Sequence, residues 1–121
     1  MSRGRQGQEM DLTTLTKHVA LLEAAATEFT WWRAARAVAI LYMVADAENA
    51  GKPVTMTEIR NRMGLKSSAE GNRFVTGYME KQQHLLKRGV DPTDERKNPL
   101  YLTARGRKIL GKLIKATGAA A

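Results

Sequence analysis

The sequence contains no cysteine, which excludes disulfides, thiolate zinc sites and a cysteine nucleophile and suits a reducing compartment. Long hydrophobic runs are also missing. The longest, AVAILYMVA at Ala37–Ala45, is far short of the roughly 20 apolar residues that a membrane-spanning helix needs. The first residues, MSRGRQGQ, hold no apolar signal core. The expected location is the cytoplasm, without a membrane partner. Signatures of catalysis are equally sparse. His18 and His84 fall on separate expected helices without metal-ligand spacing. No glycine-rich phosphate loop precedes a helix, and Asp91, Asp94 and Glu95 lack the spacing of a calcium loop. Neither enzymatic activity nor a metal or cofactor is expected.

What is present is basic charge, unevenly placed. The 121 residues carry a net charge of +8 and are 43% apolar, enough for one domain with a modest core. Residues 52–115 hold fifteen Lys/Arg against six Asp/Glu, whereas residues 11–51 hold three against five. Such asymmetry is the footprint expected for a polyanion partner, most often nucleic acid; solubility alone is the competing explanation.

Patterning divides the chain into a mobile basic arm over 1–10, one domain over 11–117 and a tail over 118–121. Leu12, Leu15, Val19, Leu22, Ala26 and Phe29 recur at alternating spacings of three and four, a narrow apolar seam on a helix over 11–29 with Asp11 or Thr13 as its cap. That seam either lies on its own domain or meets a second copy of itself. A second helix from about Thr30 carries Trp31, Ala34, Ala35, Val38, Leu41, Tyr42 and Ala45, apolar over more than half its circumference. Its aromatic residues are expected in the core rather than around a ligand. Asn49, Gly51 and Pro53 stop it.

Thr55 and Glu58 stand in capping-box spacing ahead of Ile59 and Met63, and Gly64 ends that short helix. Ser67 and Glu70 repeat the spacing and open a helix reaching about residue 85, so residues 55–85 read as a helix-turn-helix. At 100° per residue, Phe74, Val75, Tyr78 and Leu85 share its inner side, with Gly71 permitting close approach. Ala69, Asn72, Arg73, Thr76 and Glu80 face outward. Asn can pair bidentately with adenine and Arg with guanine, and small neighbours admit the helix to a major groove about 12 Å wide. The segments LKRGV and PLYLT then bracket DPTDERKN, a hairpin over 86–103 with a charged tip. In second place after a helix-turn-helix, it is a wing, with Asp94 bracing Arg96. Thr103 caps a last helix, 103–117, that turns Ile109, Leu110, Leu113 and Ile114 inward.

The run PVTMTEIRNRMGL followed by DPTDERKNPLYLTARGR resembles the winged-helix regulators of the MarR (multiple antibiotic resistance) family. The carrying residues are Asp91-Pro92, Asp94-Glu95-Arg96, Leu100 with Leu102, and Thr103-Ala-Arg-Gly106, and the likeness covers about residues 31–110. It implies a homodimer held by terminal helices, a recognition helix in the major groove and Arg96 in the minor groove. Two departures accompany it: Gly64 to Asp91 is a few residues long for the pattern, and QQHLLKRG stands where the family has an end-of-helix glycine. The chain is short, so ligand sensing is not carried over.

The fold class expected is mainly α with a small β-hairpin, a winged helix-turn-helix. Its function would be sequence-specific binding of double-stranded DNA by a homodimer at an inverted repeat, as a transcriptional regulator and most simply a repressor. Lys66, Lys97 and Arg105 would contact phosphates, with Ser67 and Ser68 holding one at the helix start. Asn72, Arg73 and Thr76 would face bases. Leu12, Leu15, Val19 and Leu22, joined by Leu110, Leu113 and Ile114, would form the dimer contact. Service in replication, partition or packaging of a plasmid or phage uses the same contacts, and a winged-helix module that binds protein is the remaining alternative. The polar face at Asn72, Arg73 and Thr76, flanked by Lys66 and Lys81, favours DNA over protein.

Overall fold

The computed structural model describes residues 10–65, 68–90 and 98–119. The chain is mainly helical with one small antiparallel hairpin. Helices α1 (Thr13–Ala26), α2 (Trp31–Asn49), α3 (Met56–Met63) and the single turn α4 (Ser68–Gly71) lead into a π-helical segment, Asn72–Gln82. Strands β1 (Leu86–Arg88) and β2 (Leu100–Leu102) follow, then α5 (Ala104–Ala119). Helix α1 packs on α5 and α2, and α2 also meets β2.

Local chemistry accounts for several helix ends. The Asp11 carboxylate accepts from the Thr13 N–H at 3.0 Å, and the Thr13 hydroxyl first, with that N–H second, holds it below the usual aspartate range. At α3 the capping box is complete: the Thr55 hydroxyl oxygen accepts from the Glu58 N–H at 3.3 Å, and the Glu58 carboxylate accepts from the Thr55 N–H at 2.9 Å. Gly64, at φ 67°, ends the helix in the left-handed conformation that glycine adopts without strain. Ser67, the second expected cap, lies outside the described residues.

Helix α2 buries Ala34, Ala37, Ile40, Leu41, Met43 and Val44, a stripe rotated from the expected one. Trp32 and Tyr42, expected in the core, are 65% and 55% exposed, and Ala35 is exposed too. The reason is close packing: small alanines take the contact line where neighbouring helices approach, and bulky rings are displaced to the flanks. Phe29 is buried, but in the turn beyond α1 rather than on the helix.

A larger difference concerns the helix expected to run to residue 85. After α4 its backbone opens into the wider π turn, and the Gln83 N–H donates back to the Tyr78 carbonyl, five residues earlier, at 2.8 Å. Gly77 and the β-branched Val75 and Thr76 weaken the α-helical preference. The wider turn then gathers Phe74, Val75, Tyr78 and Met79 on the buried side. Two residues beyond the segment stands His84, whose φ of 55° makes it the single non-glycine residue with positive φ among the described residues. Histidine here performs the reversal that a glycine would perform at lower cost.

The hairpin pairs Leu86 with Leu102, Lys87 with Tyr101 and Arg88 with Leu100. Leu86, Leu100 and Leu102 point into the core, and the Leu100 N–H donates to the Val54 carbonyl at 2.8 Å, tying β2 to the chain before α3. Glu48 of α2 holds the other side: one carboxylate oxygen accepts from the Leu102 N–H at 2.8 Å and the other from Arg107 at 2.5 Å. Thr103 caps α5, its hydroxyl oxygen accepting from the Gly106 N–H at 3.0 Å while its O–H donates to the His84 carbonyl at 2.6 Å. Ile109 and Leu113 complete the core, whereas Ile114, expected to face inward, is 63% exposed.

Candidate nucleic-acid interface

Gly64 and Leu65 turn the chain from α3 into α4 and the π segment, with Ile59, Leu65, Phe74 and Val75 buried beneath. Gly71 makes the close contact possible. A Cβ there would lie 2.5 Å from the Arg60 Cδ of α3, so a larger residue would have to push that side chain aside. Above this base Ala69, Asn72 and Arg73 are exposed, as the sequence reading requires of side chains that would reach a groove. Thr76 is only half-exposed, and its hydroxyl accepts from the Arg88 Nη2 of β1 at 2.6 Å. Arg88 Nε also meets the Glu80 carboxylate at 3.0 Å. Thr76 and Glu80, both read as outward-facing, therefore brace the hairpin against the π segment.

Arg105 is exposed on the first turn of α5, and its Nε donates to the Gln83 carbonyl at 2.9 Å. That bond places the guanidinium at the end of the π segment. Of the other expected contacts, Ser68 opens α4, while Lys66, Ser67, Arg96 and Lys97 lie outside the described residues. The same holds for Asp91, Pro92, Asp94 and Glu95.

One cluster escaped the sequence reading. Arg33 and Arg36 of α2 share a groove of about 240 Å³ with Glu70, Arg73, Phe74 and Tyr78. The Arg33 guanidinium lies 4.4 Å from the Tyr78 ring centre and that of Arg36 5.2 Å from the Phe74 ring centre. The available signal was a pair of arginines three apart, on one face of the helix whose residues are otherwise apolar as far as Ala45, in the acidic half of the chain. Among the described residues there is no group of three His, Cys, Asp or Glu side chains suited to a metal, and no helix is long and apolar enough to cross a membrane.

The residues expected at a dimer contact divide. Leu12, Leu15 and Val19 are each at least half-exposed along α1. Leu22 is half-buried and lines, with Val19, Ala26, Trp32 and Ala35, an apolar cavity of about 500 Å³ between α1 and α2. On α5, Ile114 is exposed, Leu110 packs against the core, and Leu113 is buried within the chain's own core. Leu113 thus has no surface to offer a second copy. The chain matches no protein-family model, no curated protein and no solved structure.

Proposed function

We propose that this protein is a winged-helix regulator of the MarR type that binds double-stranded DNA as a homodimer, with α3 and the α4–π unit as its helix-turn-helix and the β1–β2 hairpin as its wing. The observation that carries the proposal is the exposure of Asn72 and Arg73, side by side above a buried base, on the segment to which Arg88 pins the hairpin. Asn and Arg are the side chains suited to reading base edges, and basic charge concentrates in the same half of the chain. Thr76 would serve the wing clamp in the free protein. Arg105 would meet a phosphate through its terminal nitrogens. The exposed leucine and valine row of α1 would be covered by a second copy, placing two recognition segments about 34 to 36 Å apart on one face of the duplex. Occlusion of polymerase at an inverted repeat would repress transcription.

Titration of selected and random duplexes at several salt concentrations tests this. Arg73→Ala is expected to cost about 1 to 3 kcal/mol and relax preference at one base position, whereas Lys97→Ala weakens all duplexes alike and flattens the salt slope by about one. An absence of duplex binding at low ionic strength overturns the proposal.

A further inference from the structure

Guanidinium groups repel one another, and three lining one groove beside a single carboxylate among the described residues leave an excess of positive charge there. Arg33, Arg36 and Arg73 converge between the first turns of α2 and the π segment. Two of them are positioned by aromatic faces, Arg33 on Tyr78 and Arg36 on Phe74, and both rings are buried. A guanidinium held over a ring by this attraction keeps N–H donors that the ring does not use, and these are available to an acceptor. Both arginines are half-buried, where a charge acts more strongly than in open water.

The surroundings add to the attraction for an anion. Glu70 is the one carboxylate among the described residues that line the groove, against three arginines. Helix α2 presents its positive end nearby, with no acidic residue in its first turn and no side-chain cap at Thr30. A volume of about 240 Å³ accommodates a phosphate group and several waters, each of which takes about 30 Å³. An acidic peptide fits less well, because the apolar surface it would pack on, the two rings, is already covered by guanidinium groups.

We infer that this groove binds a phosphate group of the nucleic-acid backbone, with Arg33 and Arg36 donating to its oxygens beside Arg73. The DNA surface then extends from the π segment onto α2, and Arg73 stands between a base-reading edge and a phosphate clamp. This inference rests on the duplex-binding proposal, and the experiment separates the two.

In the full-length protein, Arg33→Gln/Arg36→Gln is expected to weaken selected and random duplexes by the same factor, about tenfold, and to reduce the salt slope by about one per chain. Arg33→Lys/Arg36→Lys, which keeps the charge and loses the planar stacking, should recover the slope but only part of the affinity. Wild-type affinity and slope in the glutamine variant overturn the inference while leaving the duplex-binding proposal standing. A second measurement holds even if that variant fails to fold. The Nε–H resonances of Arg33 and Arg36 in the wild-type protein should move on addition of duplex. Movement with inorganic phosphate but not with duplex assigns the groove to a free phosphate and overturns the backbone contact. Movement with neither overturns the site.

Discussion

Arg88 of β1 is joined to Glu80 of the π segment across 3.0 Å, and the same guanidinium donates to Thr76 at 2.6 Å. One side chain thus spans two elements whose backbones share few other contacts. A partly exposed ion pair contributes little alone, about 0.2 to 1 kcal/mol, but two bonds from one planar group also set an angle. Arg88→Ala is therefore expected to cost about 1 kcal/mol of global stability and to accelerate amide exchange through β1 and β2 disproportionately. Unchanged exchange in the hairpin would show that the leucine side chains hold it without the clamp.

Gly106 lies where α5 crosses the chain end of the π segment. A Cβ at this position would run into the Leu85 carbonyl oxygen, which already accepts from the Thr103 N–H at 3.0 Å. Backbone cannot give way as a flexible side chain does. Gly106→Ala is expected to destabilise the fold by about 2 to 3 kcal/mol, while Gly111→Ala, with nothing within 4 Å of the new atom, should stabilise α5 by about 0.5 to 1 kcal/mol. Thermal denaturation of the two variants should move in opposite directions.

His84 holds a left-handed backbone conformation with an exposed side chain. Replacing it with glycine removes the Cβ penalty of about 1 to 2 kcal/mol and adds freedom to the unfolded chain, for an expected net gain of about 0.5 kcal/mol. His84→Val should lose about 1 to 2 kcal/mol, because a branched Cβ suits this conformation worst. Denaturant midpoints at constant slope measure both, and equal midpoints for the two variants would contradict the strain.

Charge placed on the α1 row tests the second copy. Leu15→Glu/Leu22→Glu is expected to convert a dimer into a folded monomer in sedimentation, since Leu15 is exposed and Leu22 lines a surface cavity. Leu113→Glu, by contrast, should unfold the chain, because that side chain is buried in its own core. A wild-type mass for the first variant would mean that the α1 row does not join copies.

Local signals in the sequence determined a good deal. The capping box at Thr55 and Glu58, the stop at Gly64, the threonine cap of α5, the hairpin arms and the inward set Phe74, Val75 and Tyr78 each depend on residues within a few positions of one another, and backbone preference acts at that range. The chain also announced Gly71 as a point of close approach, though not that Arg60 would be the neighbour. Tertiary structure alone decided the rest. The rotation of α2 that exposes Trp32 and Tyr42, the Arg88 clamp and the meeting of Arg33, Arg36 and Arg73 all join residues from separate elements. Side chains distant in sequence meet only through the angle and depth at which helices pack, and those are set by the volume and shape of the whole core.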